Sequence, residues 1–421
     1  MPVDVDAADL ELRRWIRSGD MVVWGQSCAE PQTLTEALVS QRAELGSLLG
    51  FPGIPATRTV RPEHGDHLSL LSYCGTGSNR ELIRAGMLDV LPCHYSALPA
   101  LLGQGRHRAD VVLVQVAPED DRGRFSMAAA NEYLGAAIDS ARVVIAEVND
   151  QAPVTYGDRR LQSKDIDVVV RTSRPLAQMP VRPTSEIAQR IAATVAEQIP
   201  DGATLQFGIG AIPEAILGAL RGHRHLGIHS GLLNDAAVDL IEAGVVTNRR
   251  KSADPGVSIA GVLMGSRRVL DFAHRNPRVE LRGTAYTHDH AVLAAQRRFT
   301  AINSAIEVDL TGQVNTEVAD GTYVGAVGGG TDFLRGAARS ADGLPLVALP
   351  ATAGGRSRIV RELNGPVSTA RSDAGVIVTE FGVADLRGVP LRERAERMIA
   401  IAHPDHRTAL AESEQRNEVL A

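Results

Sequence analysis

Two related open α/β domains are predicted by the sequence, on three observations. The chain has 421 residues, more than one simple hydrophobic core organises, so two domains are the starting expectation. Short apolar runs alternate with helical patterns, as they do where largely parallel sheets are covered on both faces. Two segments, one opening each half of the chain, share a build of buried strand, glycine turn and amphipathic helix.

Taken in order, the first of these segments is Asp20-Met21-Val22-Val23-Trp24-Gly25-Gln26, with a helix over 31–41. Apolar runs at 110–116 and 142–146 predict further buried strands. Prolines punctuate 171–183 at Arg174-Pro175, Met179-Pro180 and Arg182-Pro183, which predicts a joint there. The expected domains are therefore 1–178 and 179–421. A helix follows over 186–197, with Ser185 as its N-cap. The corresponding segment of the C-terminal half is Ala203-Thr204-Leu205-Gln206-Phe207-Gly208-Ile209-Gly210, with a helix over 212–220. Strands are predicted at 268–272, 344–348 and 374–379, and a helix over 391–402.

Composition narrows the function classes. Hydrophobic content of 44% with 22% charged residues is that of an ordinary globular protein. A net charge of −6 gives no reason to expect a nucleic-acid partner. Three cysteines, Cys28, Cys74 and Cys93, make no disulfide framework and no Cys-x-x-Cys, so a reducing cytoplasm is expected. The start, Met1-Pro2-Val3-Asp4, lacks the basic and apolar regions of a secretory signal. No apolar run has the length of a membrane span.

Several strings carry candidate chemistry. Gly208-Ile209-Gly210 falls between a strand and a helix, where glycine lets backbone N–H groups approach a ligand and the helix N-terminus favours negative charge. It is not the dinucleotide fingerprint, because Pro213 stands at the third glycine position. Alone, it reads as turn geometry. Gly325-Ala326-Val327-Gly328-Gly329-Gly330-Thr331-Asp332-Phe333 is more specific: such a loop holds successive N–H groups toward a developing oxyanion. The competing reading is a tight turn into a helix capped by Asp332. Glu380 ends an apolar strand, where open α/β sheets place ligands; the plainer alternative is a capping role or an ion pair with Arg387. His288-Asp289-His290 has the look of a metal pair, yet no third ligand stands at a recognisable spacing, and no metal is expected. His94, in Cys93-His94-Tyr95, and Glu132, in Asn131-Glu132-Tyr133, are candidates to position and deprotonate water. A partly buried histidine and a helix-start glutamate are the ordinary readings of these two. Cys93 as a nucleophile needs a lowered pKa that nothing in the sequence supplies. Arg356, Arg358 and Arg361 suit phosphate forks or a solvated face.

Three strings together carry a resemblance: Phe207-Gly208-Ile209-Gly210-Ala211-Ile212-Pro213, Leu226-Gly227-Ile228-His229-Ser230-Gly231-Leu232-Leu233-Asn234-Asp235, and Asn303-Ser304-Ala305-Ile306-Glu307-Val308-Asp309-Leu310-Thr311-Gly312-Gln313-Val314. They resemble the acetyl-CoA hydrolase/4-hydroxybutyrate CoA-transferase family of the class I CoA-transferase superfamily. The resemblance is strong from Gln206 onward and looser before Asp110. It implies two domains of class I CoA-transferase type, an acyl-CoA substrate held by its coenzyme A moiety in the cleft between them, no metal, and a homodimer or higher homo-oligomer. It implies that the N–H of Ile209, with Gly210 beside it, faces the thioester carbonyl, and that Gly328 and Gly329 pack against the thioester. Glu380 then lines the active site, His288 takes a polar role there, and Arg358 lies in a string like the family's Ser-Arg-Ile-Val. Glu307 is present in relatives in addition to their catalytic glutamate, which favours a cleft-lining or structural role for it.

One position departs from the family pattern. Where relatives carry a nucleophilic glutamate, in an Ile-His-Thr/Ser-Glu turn, this chain has Gly231, which has no side chain to attack an acyl-CoA. The expected function is therefore hydrolysis of an acyl-CoA without a glutamyl-CoA intermediate. Water activated by His94 or Glu132 would cleave the thioester or a carbon–carbon bond of a β-keto or cyclic-ketone acyl group. A true acyl-CoA:carboxylate CoA-transferase whose nucleophile lies elsewhere, at Glu307 or Glu380, is the alternative. A non-catalytic CoA-binding subunit is the third reading.

Overall fold

The computed structural model describes residues 2–179 and 183–415. Two units divide the chain: Met1–Val181 with Ser230–Val238 and Val257–His288, and Arg182–His229 with Asp239–Gly256 and Asp289–Ala421.

In the first unit eight strands form one sheet. Their order is Val3–Val5, Val168–Thr172, Val143–Asn149, Val111–Val116, Met21–Trp24, Leu48–Phe51, Leu68–Ser72 and Leu88–Val90. Every neighbouring pair is parallel. Val111–Val116 and Val143–Asn149 are buried at every residue, the pattern of strands covered on both faces. Leu34 and Leu38 of the helix Gln32–Leu45 pack into the same core as Val22, Leu113 and Ile145. The chain runs outward in one direction from Met21–Trp24 and then returns to add Val111–Val116 on its other side. Strand order therefore reverses between these two strands, and open α/β sheets bind ligands at the C-terminal end of such a reversal.

The second unit repeats this plan on a smaller scale. Its sheet runs Gly227–Ile228, Thr204–Phe207, Phe299–Ser304, Leu344–Ala348, Val376–Thr379 and Gly382–Asp385, parallel except for the last pair. Order reverses between Thr204–Phe207 and Phe299–Ser304. Phe299, Leu334, Val347, Ile377 and Met398 belong to its core.

Most predicted elements appear where the sequence put them, including the helices Gln32–Leu45, Glu186–Gln198, Ala211–Ala219 and Leu391–Ala400. One prediction fails: 268–272 is not a strand but part of the helix Arg267–Ala273. The Ser266 hydroxyl accepts from the Arg268 N–H, and Val269, Leu270 and Ala273 form the buried face. A short apolar run does not by itself distinguish strand from helix; the cap decides it. His288 ends the short helix Thr284–Thr287, and His290 begins another, His290–Ala295, capped by Asp289. Part of the predicted joint, 180–182, falls outside the described residues. Among the described residues, no helix is long and apolar enough to cross a membrane.

Ser185 caps its helix as predicted, its hydroxyl accepting from the Ala188 N–H at 3.2 Å. Ser185→Ala is expected to cost about 1 kcal/mol, seen as a lower urea midpoint of unfolding.

Candidate active site

Gln26, Ile54, Tyr73 and Tyr95 follow four successive neighbouring strands of the first unit's sheet. Parallel pairing brings all four loops to one edge. Glu132 arrives there from beyond Val111–Val116, the strand on the other side of the reversal. Its segment is threaded between two others: Leu263 N–H donates to the Ala129 carbonyl, Asn131 N–H to Gly261, and Thr284 N–H to Glu132.

The side chains form a dense hydrogen-bonded group. Gln26 Nε2 donates to Glu132 Oε2 at 2.6 Å and to the Tyr95 hydroxyl at 2.9 Å. Tyr95 also donates to Glu132 Oε2. Gln26 Oε1 accepts from the Ile54 N–H at 2.7 Å and from the Tyr73 hydroxyl at 2.8 Å. The His288 ring stacks on Tyr95 with centroids 4.9 Å apart, and its Nδ1 lies 2.9 Å from the Thr287 hydroxyl. Gln26, Tyr73, Tyr95, Glu132 and His288 are all buried.

Glu132 stands apart from the other buried glutamates. Its Oε1 is buried and has no hydrogen-bond partner, the one carboxylate oxygen so placed among the described residues. Glu147, by contrast, takes Thr33, Leu34 and Thr172 on its two oxygens. Glu30 takes Thr35 on one oxygen and Thr57 on the other. Burial pushes the Glu132 carboxyl up to about 7, against the lowering effect of the Tyr95 and Gln26 hydrogen bonds. Its backbone is also left-handed, with φ of 41°, a conformation that costs a non-glycine residue on the order of 1 kcal/mol. Strain, an orphaned oxygen and a shifted carboxyl thus coincide on this one residue, which makes Glu132 the leading candidate for a role in a site.

Gly231 is linked to the Glu132 side chain through Gly261. Its carbonyl accepts from the Gly261 and Val262 N–H groups at 3.0 and 3.2 Å. A methyl group on Gly261 would stand 2.9 Å from that carbonyl oxygen and 3.4 Å from Glu132 Cγ. Glycine at 261 thus lets the Gly231 turn and Glu132 approach one another. His94 begins the turn into Tyr95–Ala97, half-buried, its Nδ1 buried and without a partner.

In the second unit the sequence-predicted residues gather at the same edge of its own sheet. The Gly208–Gly210 turn follows Thr204–Phe207, and Ile209 is exposed at its tip. Gly210 has φ of 116°, and Gly328 has φ of 59°. Asn303, at the end of the strand on the other side of the reversal, joins the two glycine loops. Its Oδ1 lies within 3.9 Å of a methyl position on Gly208 and 3.5 Å of one on Gly330. Gln206 and Asn303 exchange side-chain hydrogen bonds at 3.4 and 3.2 Å, which fixes both amides. Gly329 precedes the helix Gly330–Arg339. Ala351 links two further candidates: its N–H donates to Glu380 Oε2 at 2.8 Å, and its carbonyl accepts from the Arg358 N–H at 2.8 Å. Arg387 pairs with Asp385 at 2.7 Å. The Arg356 guanidinium meets Asp320 at the surface. Glu307 is fully engaged, taking Asn315, Asn364 and Gly365 donors on its two oxygens. That is the bonding of a residue that fastens a loop. His290 Nε2 lies 3.5 Å from the buried Asp332. Among the described residues no group of three or more His, Cys, Asp and Glu has the arrangement of a metal site.

Comparison with known proteins agrees with this geometry. The family model for the acetyl-CoA hydrolase/transferase N-terminal domain matches residues 7–180, and that for the C-terminal domain matches 265–414. The chain belongs to the acetyl-CoA hydrolase/transferase family. It is 37% identical over 404 residues to the 4-hydroxybutyrate coenzyme A transferase of Clostridium kluyveri, covering 94% of each chain. The crystal structure of RipA from Yersinia pestis superposes with a TM-score of 0.91 at 34% identity, covering 96% of this chain and 95% of that one. The 4-hydroxybutyrate CoA-transferase of Porphyromonas gingivalis gives 0.82 at 33%, covering 99% and 98%. The chain is thus an enzyme of a family that contains both CoA-transferases and acetyl-CoA hydrolases.

Sequence reasoning singled out Glu132 and His288 and missed Gln26, Tyr73, Gly261 and Asn303. Tyr95 was visible only as the neighbour of His94. Each missed residue follows an apolar strand or lies at its end, which was the one available signal.

The Glu132 carboxyl has a measurable thermodynamic consequence. Its proton affinity is higher in the folded chain than in the unfolded one, where the ordinary value is near 4.5. Its contribution to stability is complete below that value and is lost as pH rises through about 7. Glu132→Gln removes the loss. Its stability is expected to exceed that of the natural protein at pH 8, by an amount on the order of 3 kcal/mol, with a higher melting midpoint, and to differ far less at pH 5. Thermal melts at the two pH values check this.

Proposed function

We propose that this chain hydrolyses an acyl-CoA without forming a glutamyl-CoA intermediate at position 231. The bond cleaved is the thioester, or a carbon–carbon bond in a β-keto or cyclic-ketone acyl group. One observation carries the reading: the chain has glycine where the family resemblance calls for the nucleophile, and Gly261 packs between the Gly231 carbonyl and the side-chain stem of Glu132, a buried carboxylate with an unpartnered oxygen. A general base works best when its proton affinity lies near the working pH, and burial has brought Glu132 into that range.

In thioester hydrolysis, Glu132 takes a proton from water as the water oxygen bonds to the carbonyl carbon. The carbon–sulfur bond then breaks, and the proton passes to the departing thiolate. The N–H groups at Ile209 and Gly329 serve the developing oxyanion, as the resemblance implies. Gly210, Gly328 and Arg358 belong to the binding of the CoA moiety, and Glu380 and His288 to the polar lining. Coenzyme A enters as part of the substrate, and no metal takes part. His94, the other base considered, also has a buried ring nitrogen without a partner; Glu132 is preferred because Gln26 and Tyr95 hold its carboxylate in place. The setting is a homo-oligomer in a reducing cytoplasm.

The names of the relatives favour a second reading, acyl-CoA:carboxylate CoA transfer. Glu307 is a poor nucleophile for it, because its oxygens are already bonded. Glu132 or Glu380 would have to serve.

A panel of acyl-CoA esters, assayed for thiol release with and without added carboxylic acids, tests the proposal. Hydrolysis should proceed equally well without an acid acceptor. Glu132→Gln should lower kcat by about 10²–10⁴. A borohydride-reducible or hydroxylamine-sensitive enzyme–CoA thioester would overturn the hydrolase reading in favour of transfer.

A further inference from the structure

The hydrogen bonds around Glu132 have a fixed direction, and it starts at a backbone atom. The Ile54 N–H is only a donor, so the Gln26 atom it meets at 2.7 Å must be the amide oxygen. Tyr73 donates to the same oxygen. Gln26 Nε2 therefore faces Glu132 and Tyr95, and its two hydrogens go to Glu132 Oε2 and the Tyr95 oxygen. Having accepted from Gln26, the Tyr95 hydroxyl directs its own hydrogen to Glu132 Oε2. Both hydrogen bonds to Oε2 are donated to it. Gly53 has to be glycine for the arrangement to exist, since a methyl group there would stand 2.3 Å from Gln26 Oε1.

We propose that Gln26 and Tyr95 are positioning residues that reserve Oε2 as an acceptor and make Oε1 the single oxygen through which Glu132 gains and loses its proton. A proton on Oε2 would collide with two hydrogens already directed at it. Oε1 meets no such hydrogen. Tyr73 acts one step further out, by holding Gln26. The group that takes the proton from water is thus one atom with one orientation, and this part of the inference rests on the hydrolase reading above.

The surrounding titratable groups keep the direction constant. Burial, then the neighbouring Glu132, holds the Tyr95 phenol well above its ordinary range, so it remains a donor. Burial does the same for Tyr73 and Tyr133, with Cys74 and Glu132 adding to it. Burial also raises the Cys74 thiol. The His288 ring stacks on Tyr95, and His94 precedes Tyr95 in the chain.

Infrared difference titration of the full chain tests the proposal without any substrate. The Glu132 band is the protonated-carboxyl absorption missing from Glu132→Gln. With the proton on Oε1, the carbonyl is Oε2 and accepts two hydrogen bonds, so the band lies at the low-frequency end of the carboxyl range. Tyr95→Phe should move that band to higher frequency and raise the titration midpoint by about one pH unit. Tyr73→Phe, a milder change outside the carboxylate's contacts, should move both in the same direction by less. A band at the frequency of a carbonyl without hydrogen bonds, unmoved by Tyr95→Phe, would place the proton on Oε2 and overturn the inference. If the band behaves as expected while Glu132→Gln still hydrolyses acyl-CoA at the natural rate, the functional reading fails and the proton assignment stands.

Discussion

A sheet whose strands run parallel delivers every strand's C-terminal loop to one edge, and both units are built on that constraint. In the first unit it brings Gln26, Ile54, Tyr73 and Tyr95 together although up to 69 residues separate them in the chain. In the second it gathers the two glycine loops, Asn303, Ala351 and Glu380. In each unit a glutamine stands on one side of the reversal of strand order. Gln26 meets Glu132 there, and Gln206 meets Asn303. The amide in each case orients the polar group across the reversal.

The first unit meets an energetic cost at that place. A carboxylate loses water, its backbone enters the left-handed region, and one of its oxygens goes without a partner. A region selected for stability alone would place none of these together. The packed strands around it hold the arrangement, since Glu132 is carried on a segment bonded on both sides to backbone and has little freedom to relax.

The sequence made the repeated strand–turn–helix plan legible because that plan is local: apolar period, glycine turn and cap lie within a few residues of each other. Ser185 and the helix after it illustrate this. Where the local signal was thin, as at 268–272, the reading went to the wrong element. The candidate site was legible only in part. Glu132 and His288 attracted attention as polar residues in unusual strings, and the glycine loops as clusters. Gln26, Tyr73 and Gly261 carry no such mark. Their importance comes from which strands neighbour one another, and strand order is not written in any single segment. Glu307 illustrates the converse: it sits in one of the strings most like the family, and its contacts show a loop fastener.

The hydrogen-bond direction around Glu132 originates in the peptide group of Ile54. Side-chain substitution at 54 leaves that donor in place for every residue except proline. The orientation of Gln26 is therefore insulated from sequence drift at the position that sets it, while the partners downstream, Tyr95 and Glu132, stay open to change. What reaches the carboxylate through Gln26 is thus the polarity of a peptide group, fixed by the course of the main chain.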